Sequence, residues 1–486
     1  MLGGVLLIKS LKPVFDLEGL FYSSNKYVAK RIISAAFNNA GKKGYEILRE
    51  GVFHKNEYVR EYSLLGIGFA LKKTGEEGPL EEIQKYLQRT KENEDEDWYP
   101  AAKAMGMILQ GREDAIEYFK PYLTTKDEIK RYNLIIGLSI AYEKTQNNEI
   151  LEILKMQIKN ARKETSFPDP IIAGSLLGVG LIYRGAENYA LLRIIKPYLK
   201  NRFEDIRLAA AYAATLIFEG TGNEYIFSLL KPLFWDVTKV KTGIAIATSI
   251  LFKNIGEEAL GILTPLKKYK TWGAHVAVAL GLGSALKGTR NIEATQLIKK
   301  FLKSTIDETR MISGVALADI YHGLRDEAFN DLQQMIEKGK SDERGAAIFA
   351  LGHAYEKTKN KEILEYLKEI ERNSPNARKN SRPRKISYTY EDALKEEGYV
   401  SPWRKEKNSI TLAIGKIFKE SKDKRFLEIW KNQIIASDKE ILDAVILAMG
   451  DVYAEKMPDD YWRSIMCLSN LFKESFWDFY EKICTT

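Results

Sequence analysis

Any chemistry in this sequence has to come from few residues. The four histidines are His54, His275, His322 and His353, and the two cysteines are Cys467 and Cys484. A zinc site gathers Cys or His ligands at close spacing, and these six are scattered along the chain. One disulfide could form, but a secreted disulfide framework is excluded. Gly-x-Gly occurs at Gly66/Gly68, Gly178/Gly180 and Gly281/Gly283. None carries the third glycine of a dinucleotide fingerprint, and none follows a strand pattern. Walker A and Gly-x-Ser-x-Gly motifs are missing. No catalytic centre, metal site or cofactor is expected from these residues.

One segment does carry binding chemistry. Residues 372–385 hold six basic and no acidic side chains in fourteen positions: Arg372, Arg378, Lys379, Arg382, Arg384 and Lys385. Ser, Asn and Pro supply most of the rest, which predicts a loop. Tyr388, Tyr390, Trp403 and Arg404 follow. Basic groups interleaved with aromatics suit phosphate backbones and stacked bases. They suit an acidic protein surface equally well, and the plain alternative is a solvated, charged linker.

The elements that would position such a segment are repeats. A small residue is followed two positions later by a second small one and five positions later by an aromatic or Leu. The first positions are Gly66, Ala104, Gly137, Gly178, Ala213, Ala247, Gly281, Ala316, Ala350, Ala413 and Ala448. Their spacings are 38, 33, 41, 35, 34, 34, 35, 34, 63 and 35. A divergent copy fits at Ile32, Ser34 and Phe37. Two helical residues separated by two positions point about 200° apart. Small residues on opposite sides let one helix be approached closely from both, as in a helix sandwiched between neighbouring repeats. Each helical glycine costs about 1 kcal/mol against alanine, so close packing must compensate.

A polar turn and a second helix follow each anchor, and several second helices end in Lys-Pro, as at Lys120-Pro121, Lys196-Pro197 and Lys231-Pro232. Proline there should stop the helix. Nine positions before the anchor, Glu57, Glu128, Asp169, Glu204, Thr238, Asp307 and Ser341 are N-cap or first-turn types. Six positions before it stand Arg60, Arg131, Arg207, Lys241, His275, Arg310, Arg344 and Lys407.

This Asp/Glu-x-x-Arg pattern resembles the HEAT-repeat family, particularly its short prokaryotic form. The resemblance implies an acid–base ladder between repeats, with Arg60, Arg131, Arg207, Arg310 and Arg344 as its basic members. The small-x-small stretches at 177–185 and 279–283 are similar to proteasome/cyclosome repeats, which build scaffolding subunits of the proteasome cap. Tetratricopeptide repeats share the period, but their fuller pattern does not persist. HEAT-like di-iron hydroxylases need several His-Glu pairs, and this chain has none. HEAT-like DNA glycosylases use a basic concave surface with aromatics and an acid. Trp98, Trp235 and Trp272 lie in the array, but no local motif singles out an acid.

Composition agrees with an extended core, being 45% hydrophobic and 29% charged. A net charge of +8 over 486 residues permits nucleic acid without demanding it. No stretch approaches 18 uninterrupted apolar residues, and the start, MLGGVLLIKSLKPVF, lacks a basic leader and a cleavage site. The expectation is therefore an all-α protein: a curved α-solenoid of about twelve two-helix HEAT-like repeats, cytoplasmic, with no membrane span. Residues 1–371 form the long array, 372–406 an insertion and 407–486 the last repeats and a cap. The expected function is a non-catalytic scaffold for a protein partner or multiprotein complex. A nucleic-acid- or ribosome-associated factor using 372–385 is the alternative, and a HEAT-like glycosylase-type enzyme the second.

Overall fold

In a computed structural model of the chain, the described residues are 41–53, 57–90, 98–164, 169–373 and 406–419. Every regular element among them is a helix. Ala448 lies outside the described residues, and the other ten anchors lie on ten first helices: α1 (Glu57–Ala70), α2 (Tyr99–Ile108), α3 (Glu128–Ala141), α4 (Asp169–Ile182), α5 (Glu204–Ile217), α6 (Thr238–Leu251), α7 (Trp272–Ala285), α8 (Asp307–Ile320), α9 (Ser341–Ala354) and α10 (Glu406–Ile417). Eight are 14 residues long, and all eight begin nine positions before the anchor. The acidic or hydroxyl column is thus the first helical residue rather than the cap. Asp127 takes the capping role at α3, accepting from the backbone N–H groups of Ile129 (3.0 Å) and Lys130 (2.9 Å).

The chain divides into two compact units, residues 1–255 and 256–486. In the first, α1 to α6 each pack on the next, and in the second α7 to α10 do the same. The small pair makes this stacking possible. An added Cβ on Gly180 of α4 would stand 2.6 Å from Cα of Ala213 on α5, and one on Gly283 of α7 would stand 2.8 Å from Cα of Ala316 on α8. Gly106 meets Gly137, and Gly352 meets Ala413, in the same way. The second small residue of each repeat therefore seats against the first small residue of the next. The aromatic column closes the first helices: Tyr142, Phe218, Phe252, Tyr321 and Tyr355 stand at the C-caps and are buried.

The turn after most of the first helices adds a second tie. It holds residues of positive φ two positions apart, such as Lys144 and Gln146, Gly185 and Glu187, or Gly220 and Gly222. Their N–H groups donate forward to the last carbonyls of the next first helix. Lys144 and Gln146 reach Leu181 and Ile182, and Gly185 and Glu187 reach Leu216 and Ile217. Gly220 and Gly222 reach Ile250 and Leu251. In the second unit Lys357 and Lys359 reach Lys416 and Ile417 on α10. Helical C-terminal carbonyls that lack intrahelical partners are thus satisfied by the repeat before.

At Lys120-Pro121 the second helix stops, ending at Phe119, whereas at the other two Lys-Pro tails it tightens. Lys196–Lys200 and Lys231–Trp235 continue as 3-10 helix with the proline in the first turn, where its missing N–H is no loss. In the repeat of α3 the second helix is the longest among the described residues, running Asn148–Glu164. No helix among the described residues is long and apolar enough to cross a membrane.

Candidate functional site

The expected ladder arginines occupy the fourth position of their helices, and Arg207 and Arg310 clamp loops from there. Arg207 of α5 donates to the carbonyls of Asn201 (2.7 Å) and Arg202 (2.9 Å) in the loop before its own helix. It also forks onto Asp236, in the loop before α6, at 2.6 and 2.5 Å. Burial pushes the Asp236 carboxyl up, but the Arg207 fork and the Val237 N–H hold it below the usual range. Arg310 of α8 does the same in the second unit, donating to the Ser304 carbonyl (2.6 Å) and pairing with Asp342 of α9 (3.1 Å). Arg131 donates to Gln157 of its own repeat (2.6 Å). At Arg207 and Arg310 the arginine pairs with an acid of the next repeat, but that acid is Asp236 or Asp342, outside the column nine before the anchor. Arg60 and Arg344 hold the matching positions of α1 and α9. His275, in the same column, stacks on Phe301 with ring centroids 4.9 Å apart.

A second ladder lies one residue beyond the aromatic column. In the first unit it reads Gln110, Glu143, Arg184, Glu219 and Lys253. Gln110 donates to Glu143 (3.1 Å), and Arg184 pairs with Glu143 (2.8 Å) and Glu219 (2.5 and 3.0 Å). Lys253 completes the run on Glu219 (2.8 Å). In the second unit the same column holds Lys287, His322, Glu356 and Lys419. Glu356 receives Lys419 at 2.9 Å and lies 3.4 Å from Nδ1 of His322. His353 of α9 joins this group, its ring centroid 6.1 Å from that of His322. Burial first, then Lys287, lowers the His322 pKa. Burial raises the Glu356 carboxyl, but Lys419 and Lys416 hold it below the usual range.

In each unit the loops in front of the first helices carry exposed apolar residues. Phe203, Val237 and Ile306 hold the N-cap positions of α5, α6 and α8 and are 38%, 47% and 37% exposed. An N-cap normally carries a side-chain oxygen, and losing one costs about 1 kcal/mol. Trp235, 55% exposed, stands two residues before Val237. Arg202 lies 4.3 Å over the Phe203 ring. Lys200 is exposed beside them in the first unit, and Lys267, Lys268, Tyr269 and Lys270 are exposed on the corresponding loop of the second.

Of the basic segment, Arg372 is exposed in the last turn of the helix Lys361–Asn373. Arg378, Lys379, Arg382, Arg384, Lys385, Trp403 and Arg404 lie outside the described residues, as do Cys467 and Cys484. Trp98 is buried, its Nε1 donating to Thr90 (3.1 Å) and its ring facing Lys130 Nζ at 5.2 Å, so it is a packing residue.

Stacked helical pairs joined in this way define an α-solenoid. Its repeats are HEAT-like. No family model matches the sequence. The 26S proteasome regulatory subunit RPN2 of Candida glabrata is 22% identical over 297 residues, which make up 58% of this chain and 30% of that subunit. The chain therefore matches under a third of that relative's length. Among solved structures, an engineered protein aligns with 78% of this chain and 96% of its own, at 17% identity and a TM-score of 0.26. Karyopherin Kap121p, bound to the extreme C-terminus of the protein phosphatase Cdc14p, aligns with 87% of this chain and 47% of its own, at 11% identity and a TM-score of 0.35.

Proposed function

We propose that the chain is a non-catalytic scaffold that holds a protein partner, and that the edge in front of α5 and α6 is its contact surface. The observation that carries this reading is the placing of apolar residues at exposed N-caps. Phe203 and Val237 give up a side-chain cap hydrogen bond and still remain 38% and 47% exposed. Local rules broken without a gain in stability are expected at functional positions. Arg207 fixes the two loops to one another, so Phe203, Trp235 and Val237 are presented together. Aromatic and arginine side chains anchor protein interfaces. Lys200 and Arg202 beside them favour a partner that offers acidic and apolar groups together. The likeness to a proteasome subunit agrees with a scaffold role.

The nucleic-acid reading rests on the six basic residues of 372–385 and makes a different prediction. The full chain is used as bait in lysate of its native organism, with and without nuclease. A partner that survives nuclease at stoichiometric yield, and is lost when Phe203, Trp235 and Val237 are changed together to Ser, supports the scaffold. Circular dichroism checks that the triple variant is folded. If recovery collapses with nuclease, the scaffold reading fails and the basic segment takes its place.

A further inference from the structure

Stacking of successive repeats assembles a ligand set that the sequence keeps apart. His322 follows α8, while His353 and Glu356 stand at and just beyond the end of α9. One donor atom from each, imidazole nitrogen or carboxylate oxygen, lies within 4.8 Å of the other two. We propose that His322, His353 and Glu356 bind one divalent transition-metal ion of the zinc class and so clamp two neighbouring repeats.

The donor chemistry selects that class. Two imidazoles and one carboxylate are the protein ligands of open zinc sites, which keep water in the fourth position. Calcium needs six or more oxygens and magnesium prefers an octahedral oxygen shell, and neither is offered. Glu356 is already arranged for the task. Its Oε1 takes Lys419 Nζ at 2.9 Å, and its Oε2 faces His322 Nδ1 at 3.4 Å. Lys419 thereby acts as the outer partner that orients a ligating carboxylate. Phe349 packs against the His353 ring with centroids 4.6 Å apart. Ligand atoms around a tetrahedral zinc ion stand about 3.3 Å from one another, so small side-chain rotations close the set. All three side chains are only partly buried, which leaves the ion a way in.

The charges around the cluster set its selectivity. Lys287, Lys416 and Lys419 oppose a dication, and Asp319, 3.8 Å from Lys287, and Glu356 offset them. With so little net negative charge, binding depends on coordination to imidazole nitrogen. Magnesium, which is held through charge and oxygen, is therefore rejected.

The test uses the full chain, free of any histidine tag and stripped with a chelator. Zinc is titrated by calorimetry, and cobalt is added separately for its visible spectrum. The expected result is one zinc per chain, a raised Tm, and no response to magnesium. H322Q and H353Q should each weaken zinc binding about tenfold or more, whereas H275Q and the pair C467S/C484S leave it unchanged. Folding of each variant is checked by circular dichroism. Should the histidine variants unfold, the cobalt spectrum of the unaltered chain decides: weak tetrahedral or five-coordinate bands support the site, and intense thiolate charge-transfer bands assign the metal to the cysteines. Absence of zinc binding, or equal affinity in H322Q and H353Q, overturns the proposal.

Discussion

At Glu219 burial and charge oppose one another. Burial raises the carboxyl pKa, while hydrogen bonds from Arg184 and Lys253 lower it, and the balance falls at about 2. The folded value lies below the ordinary 4.5. The carboxylate therefore stabilises the fold fully above pH 4.5, and that contribution is lost as pH falls from 4.5 towards 2. Discounted for partial exposure, it amounts to about 1–2 kcal/mol. Glu219→Gln should lower stability at pH 7 and flatten the acid loss between pH 5 and 2, measured by denaturant midpoints at each pH. An unchanged acid profile would mean that this ladder is only decorative. The ladder itself was hard to read in the sequence. Its column runs Gln110, Glu143, Arg184, Glu219, Lys253, so the charge changes from each repeat to the next and no single residue type marks the column. The pair His322 and His353 was hidden for a related reason, since they occupy different positions in successive repeats.

The helices were the most legible level. The small pair marks where two helix backbones meet, and steric exclusion at such a point leaves few residue types. That is why all eight 14-residue helices begin where the anchor places them. The same exclusion yields a paired prediction. Gly180→Ala gains about 1 kcal/mol of helix propensity. It also puts a methyl 2.6 Å from Cα of Ala213, and overpacking of that kind costs about 1–3 kcal/mol. Sterics should win, with a net loss measured by chemical denaturation. Gly261 sits in the helix Glu258–Leu263 with nothing within 4 Å of an added Cβ. Gly261→Ala should therefore stabilise by about 0.5–1 kcal/mol. If both changes act with the same sign, close approach is not what selects glycine at the anchors. What the anchors could not show was which residues face outward on the loops, because an exposed Phe203 or Val237 looks like any apolar residue.

For the whole chain, the wide gap between the anchors Ala350 and Ala413 is the main irregularity, and the helices bridge it. Gly352 of α9 meets Ala413 of α10, and Lys357 and Lys359 donate to Lys416 and Ile417. The stack therefore passes from α9 to α10 as it does between other repeats. Replacing residues 374–405 by a linker of about four residues, the usual length of such connections, should leave helicity intact and move the unfolding midpoint little. Nucleic-acid binding, if it resides in that segment, should be lost in the same variant. Circular dichroism and a salt-dependent binding assay check the two outcomes. A large loss of helicity would instead make the segment part of the fold.

The forward-pointing turns also give the array a direction in time. Each turn offers its N–H groups to carbonyls on a helix that lies further along the chain. During synthesis those carbonyls do not yet exist when the turn emerges. A repeat can be completed only after the first helix of its successor has been made, some 34 residues later as the anchors are spaced. Maturation of the nascent chain therefore trails its elongation by one repeat, and at any moment one turn stands open, waiting for the helix it will close.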